Sequence, residues 1–360
     1  MPKELFDIYD GHPFDGDHCF LCGVVLDTKN RTVEHVFSRW LQEAFQLRDQ
    51  MLNLLNRTQI PYRNLVIPCC KQCNGTHLSN LENRVKRVFT DPSRSLDEIS
   101  DEDLNAWISK IYIGTHWKEL ELKFDRKEPR SKPILPRESM ENFRMMHFFM
   151  QSCRKSMTFN GPNGVFPNSL LRVQCKVPQE IVGQFDYLDN FAAHTVAIRI
   201  GDKGVVGIFD GGMHTDIFPD FAELAYGNNA LHPIQFREVF AKLTYKSILS
   251  LRVPFFGIFH EEMTDRYVVS LMAFDDHDKE ASCVSYVSHD GQRLLMVPVL
   301  PKAAQEGNAY SEWSQEKYAR GLSWYTGIPL DQVFTPPDLV MSFLRDDNDD
   351  FIDIPIDALD

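Results

Sequence analysis

The chain has 360 residues, 43% apolar and 25% charged, which is enough length for two hydrophobic cores and an ordinary globular composition. No apolar run approaches the ~18 residues of a membrane-spanning helix, and the opening Met1-Pro2-Lys3-Glu4-Leu5-Phe6-Asp7 lacks the apolar stretch of a secretory leader, so a cytoplasmic protein is expected. The net charge of −13 argues against a broadly polyanion-binding surface.

The charge is uneven along the chain. Residues 31–90 hold nine Lys or Arg and only four acids, whereas residues 345–360 hold seven Asp and one Arg. A basic window near the front and an acidic tail are the first organisational signal. The cysteines are the second: five of the eight fall between Cys19 and Cys73. In a cytoplasmic chain such clustering indicates metal binding rather than disulfides.

Cys19-Phe20-Leu21-Cys22-Gly23 has the form of a tight knuckle that points two thiolates at one ion. A strand-like Val24-Val25-Leu26 runs into the turn Asp27-Thr28-Lys29-Asn30, and Thr32 to Phe37 reads as a second strand. A helix is expected over roughly 38–55, where Trp40, Leu41, Ala44, Phe45, Leu52 and Leu55 approximate a stripe. Residues 61–68 read as a loop and a short strand. Cys69-Cys70-Lys71-Gln72-Cys73-Asn74 follows, and Leu78, Leu81, Val85, Val88 and Phe89 then mark an amphipathic helix. A further helix is expected over about 101–123, with Asp101 as its cap. Residues 125–133 read as a charged, Pro-containing linker, and 138–152 as another helix.

The remainder is mixed. Residues 195–200 and 205–209 flank Gly201-Asp202-Lys203-Gly204, and residues 281–288 and 294–299 flank His289-Asp290-Gly291-Gln292; both are hairpin candidates. Helices are expected over 234–251 and 311–323, and a strand over 266–274.

Cys19/Cys22 and Cys70/Cys73 make two CxxC pairs separated by 47 residues. Four thiolates suit the closed tetrahedral geometry of structural Zn²⁺. Cys69 offers an alternative fourth ligand, with CxxxC spacing. Between and after the knuckles stand Glu34-His35, Asn64, Asn74 and His77. This order of CxxC, acid-His, Asn and CxxC-Asn opening a helix resembles the HNH nuclease superfamily, also called the ββα-metal fold, over residues 19–89.

The resemblance implies a metal-dependent nuclease. His35 would be the general base that activates water, near its useful pKa at neutral pH. Glu34, where the family more often has Asp, and Asn74 would hold a catalytic Mg²⁺ or Mn²⁺. Strand alternation points Glu34 away from His35, so reaching that metal requires a strand end or a bulge. Asn64 would brace the motif, and His77 would be a third ligand or a contact to the leaving group. Arg31, Arg39, Arg63, Lys71, Arg84, Lys86 and Arg87 surround the motif as candidate phosphate contacts.

The expected class is α+β, a zinc-stabilised ββα-metal module followed by a larger mixed α/β domain. Its parts are the module over 1–95, a helical segment and linker over 96–137, a recognition or regulatory domain over 138–345 and the acidic tail over 346–360. The expected activity is hydrolysis of DNA phosphodiester bonds, in the manner of bacterial restriction and phage-defence effectors. The alternatives are RNA as substrate, or zinc-dependent nucleic-acid binding without cutting. No membrane partner is expected; an oligomer and a ligand of the second domain stay open.

Overall fold

Strands β1 (Arg31–His35) and β4 (Val66–Cys70) pair antiparallel, with Arg31 opposite Cys70 and His35 opposite Val66. The computed structural model describes residues 5–9, 14, 16–160, 166, 168–212, 215, 230–249, 255–273, 284–287, 294–297, 319–320, 323–327 and 329. Most of the helix expected over 311–323, and all of the acidic tail, lie outside the described residues. No helix among the described residues is long and apolar enough to cross a membrane.

Between β1 and β4 the chain departs from the expected long helix. Helix α1 covers only Arg39–Ala44. Gln46 takes a left-handed φ of 53°, which stops the helix. The apolar residues beyond it serve a small hairpin of β2 (Met51–Asn53) and β3 (Gln59–Pro61). Leu52 and Leu54 are buried while Asn53 and Leu55 are exposed, a period of two rather than a helical stripe. The side chain of Asn56 accepts from the backbone N–H of Thr58 at 3.0 Å, and Arg57 adopts φ 62° to close the turn.

After β4, Cys73–Leu78 forms a π-helical turn that continues into α2 (Ser79–Phe89). The stripe Leu78, Leu81, Val85, Val88 and Phe89 is buried. Helix α3 (Asp101–Glu121) is capped by Ser100, whose hydroxyl accepts from the N–H of Asp103 at 3.2 Å, rather than by Asp101. Its residues are buried on every side from Leu104 to Trp117, the signature of a core helix. Gly114 lets it approach β1 and β4, since a Cβ there would lie 2.9 Å from Val36 Cγ2 and 3.3 Å from Ile67 Cδ1.

The residues expected to be a linker instead fold back as a hydrogen-bonded turn. Phe124 donates to the carbonyl of Lys132 and Ile134 to that of Leu122, each at 2.8 Å. Residues 137–153 alternate 3₁₀ and α geometry around α4 (Arg144–Met150). His147 Nε2 of α4 meets the carbonyl of Phe20, inside the first knuckle, at 2.7 Å.

The chain divides into two compact units, the first comprising Met1–Thr158 with His260–Val268, the second Phe159–Phe259 with Val269–Asp360. The first unit thus extends well beyond residue 95, because α3 and α4 supply the core that the ββα segment could not enclose alone.

β5 (Met157–Asn160) runs from the end of the first unit into the second, where the strands β6 (Ser169–Gln174), β7 (Phe185–Asn190), β8 (Thr195–Ile200) and β9 (Lys203–Ile208) form an antiparallel sheet. Its order is β6-β9-β8-β7. Gly201, at φ 58°, turns the hairpin between β8 and β9. Helix α5 (Pro233–Leu249) lays Phe236, Val239, Phe240 and Leu243 on Ala197, Val206 and Ile208. Residues 284–287 and 294–297 pair antiparallel, as the second hairpin signal implied.

Candidate functional site

The first knuckle is shaped by Gly23, whose φ of 68° lets its N–H return to the carbonyl of Cys19 at 2.8 Å. A side chain there would collide with the ring of Phe6, 2.3 Å from the Cβ position. The second knuckle spans the end of β4 and the π turn, and Cys73 N–H points at Cys70 Sγ, 3.4 Å away. Pairing of β1 with β4 and the hydrogen bond from Phe20 N–H to the carbonyl of Pro68, 2.9 Å long, bring the knuckles together.

The sulfurs of Cys19, Cys22, Cys70 and Cys73 lie within 4.8 Å of one another, all buried. Cys22 and Cys70 sulfurs are 3.9 Å apart. A tetrahedral ion with Zn–S bonds of ~2.3 Å sets its sulfurs about 3.8 Å apart, so these residues fit Zn²⁺ and could hold it. Cys69 Sγ also lies 3.9 Å from Cys19 Sγ, but it falls outside the mutually close set, which Cys70 completes. In the bare cluster, hydrogen bonds from Cys22 and the other thiols push the Cys19 thiol down, while its hydrogen bonds with Cys19 raise Cys73.

On β1, Glu34 obeys strand alternation and does not turn toward a metal beside His35. The ladder runs without a bulge through His35, and Glu34 is buried against α3. The ammonium of Lys110, wholly buried, donates to Glu34 Oε1 at 2.8 Å, to Glu82 Oε1 at 2.7 Å and to the carbonyl of His35 at 3.0 Å. Trp40 Nε1 donates to the other oxygen of Glu82 at 2.8 Å. Burial alone would lower the Lys110 pKa, but the two carboxylates outweigh it and hold the ammonium charged. Burial raises the Glu34 carboxyl pKa, and the nearby Glu82 charge adds to this against the pull of Lys110.

His35 lies on the opposite, half-buried face. Burial, then the charges of Arg39, Lys110 and Arg48, hold its pKa below that of ordinary imidazole. Its ring is therefore neutral at pH 7, with Nδ1 buried and unpartnered among the described residues. A neutral imidazole can accept a proton or bind a metal through its unprotonated ring nitrogen.

The other expected site residues separate. Asn74, in the π turn, reaches across to β1, its amide donating to Thr32 Oγ1 at 3.1 Å and to the carbonyl of Val33 at 2.7 Å. His77, three residues on, lines a different pocket with Cys22 and Cys73. Burial, then Arg154, lowers its pKa. Asn64 is exposed and makes no side-chain hydrogen bond among the described residues. The brace expected of it comes from backbone, Val36 N–H to the carbonyl of Leu65 at 2.9 Å. Glu34, expected with Asn74 and His77 to hold a catalytic ion, is instead engaged by Lys110.

Three of the expected phosphate contacts are engaged in ion pairs: Arg31 with Asp17, Arg63 with Asp49 and Arg84 with Asp103. Arg39 sits near His35 and Glu34. Lys71, Lys86 and Arg87 are exposed. Sequence reasoning passed over Lys110 and Glu82. The available signal was a lone cation inside Trp107-Ile108-Ser109-Lys110-Ile111-Tyr112-Ile113, where every neighbour suits a core.

No family model, no curated protein and no solved structure matches this chain.

Proposed function

We propose that the protein is an HNH-type endonuclease that hydrolyses DNA phosphodiester bonds, with His35 as the water-activating base. The observation that supports this reading best is the neutral, unpartnered imidazole at the end of β1, beside Arg39 and Arg48, in a two-stranded and helical frame that four cysteines could close around zinc. A phosphodiester drawn to those guanidinium groups would present its phosphorus to a water held by His35. Glu34 acts through Lys110 as an anchor of the strand. Cutting also calls for Mg²⁺ or Mn²⁺, ions that keep several waters and lean on substrate phosphate; Asn74 is the residue this reading leaves for such an ion, with His35 kept as the base.

A second reading, zinc-dependent nucleic-acid binding without cutting, is favoured by the engagement of Glu34 with Lys110. Incubation of the purified protein with plasmid DNA and with RNA, with and without Mg²⁺ or Mn²⁺, separates the two. The nuclease reading expects nicking only with added ion, and a loss of ~10²–10⁴ in rate in His35→Ala at unchanged melting temperature. Undiminished cutting by folded His35→Ala removes the mechanism, and binding without cutting under every ion establishes the second reading.

A further inference from the structure

The two knuckles enclose a pocket of about 420 Å³ on the side of the cysteine cluster where His77 emerges. Four cations line it: Lys29, Lys71, Arg154 and Lys155. No carboxylate is among its lining residues. Zn²⁺ in four thiolates is a dianionic centre, so four cations leave the pocket net positive. Lys29 and Lys71 are exposed and form no ion pair among the described residues, in contrast to Arg31, Arg63 and Arg84.

The lysines are also held in place by backbone. Asp27 accepts from the N–H groups of Lys29 and Asn30 at 2.8 and 2.9 Å, and the Asn30 side chain returns to the carbonyl of Val25 at 2.9 Å. The N–H of Lys71 then donates to the carbonyl of Asn30 at 2.7 Å, which locks the first loop to the second knuckle. A site stitched in this way loses little entropy on binding. Its volume exceeds that of a bare phosphate and falls in the ~300–1,000 Å³ range of ligand pockets. Val24 and the lysine stems supply apolar wall.

We propose that this pocket seats one nucleotide of a nucleic-acid strand, its phosphate among the four cations and its sugar and base against Val24 and the lysine stems. The inference rests on the nucleic-acid reading above, but it concerns binding and needs no cutting.

The test uses the full-length zinc-loaded protein, a fluorescein-labelled single-stranded 20-mer DNA and no added divalent ion. Anisotropy should show the strand displaced by adenosine monophosphate more readily than by inorganic phosphate or adenosine. Lys29→Ala/Lys155→Ala should weaken binding roughly tenfold and reduce the salt slope by about 0.7, the share of one phosphate contact on a single strand. Arg126→Ala/Lys127→Ala, on the exposed turn after α3, should change affinity less than about twofold. Zinc content should stay at one per chain in both variants. Unchanged affinity in the pocket variant, or monophosphate competing no better than inorganic phosphate, overturns the proposal. Loss of zinc from the pocket variant also overturns it, since the lysines would then serve the metal centre. A protein that binds as described yet never cuts keeps the pocket and loses the nuclease reading. One that cuts normally with the pocket lysines removed loses only the pocket.

Discussion

Lys110 of α3 and His35 of β1 are joined by one hydrogen bond, from the buried ammonium to the backbone carbonyl, 3.0 Å long and spanning 75 residues of sequence. The same ammonium pairs with Glu34 and Glu82, so the strand that carries the imidazole is fixed to both helices behind it.

Lys110→Met should therefore destabilise the protein by about 3–5 kcal/mol, since it leaves two carboxylates buried without their cation. Urea unfolding measures this. The combined replacement Lys110→Met, Glu34→Gln, Glu82→Gln should recover much of the loss, because it removes the uncompensated charges. Wild-type stability in the single variant would mean that the network does not hold the strand.

Gly114→Ala separates helix propensity from packing. Alanine favours a helix over glycine by about 1 kcal/mol. Here the added Cβ would meet Val36 Cγ2 at 2.9 Å and Cγ1 at 3.2 Å, and a β-branched side chain has little room to rotate. Overpacking of this kind costs about 1–3 kcal/mol, so the melting temperature should fall. A rise would show that α3 does not approach β1 this closely.

The cysteine geometry makes a paired prediction. Protein purified without chelators should carry one zinc per chain by elemental analysis. Cys70→Ser should lose it, whereas Cys69→Ser should keep it, because only Cys70 belongs to the mutually close set. The reverse result would move the ligand by one residue, and absence of zinc from the wild type would remove the metal centre.

In the second unit, burial pushes the Cys175 thiol up to about 12. At pH 8 about one molecule in ten thousand then carries its thiolate, the reactive form. Iodoacetamide should leave Cys175 unmodified in the native protein and label it after unfolding, as read by mass spectrometry. The folded pKa lies above the unfolded value of ~8.5. The associated stability is thus complete below that pH and lost as pH rises through about 12. Rapid native labelling at pH 8 would place this thiol at the surface.

What could be read from the sequence follows from how local each constraint is. Coordination by four sulfurs demands particular spacings, so Cys19, Cys22, Cys70 and Cys73 announced themselves. The stripe from Leu78 to Phe89 and the turn at Gly201 are likewise set by residues within a few positions of each other. Leu52 and Leu55 misled, because their spacing of three suits a helix, whereas Gln46 ends α1 before them and the hairpin buries Leu52 and Leu54 instead. The destination of Glu34 depended on Lys110, 76 residues away, which no local pattern connects to it. The π turn over Cys73–Leu78 likewise had no local signal in the sequence.

The contact between His147 and Phe20 imposes an order on biosynthesis. Both knuckles are translated before α3 and α4, and the carbonyl of Phe20 finds its imidazole partner only 127 residues later. At ~5–20 residues per second, that interval is on the order of ten seconds on the ribosome. Once Cys73 has been made, the emerging chain has all four cysteines to bind metal, while α3 and then α4 are still to come to brace the strand that bears His35. A chain interrupted near residue 95 would remain in that state permanently, with the full motif translated and its supporting half missing.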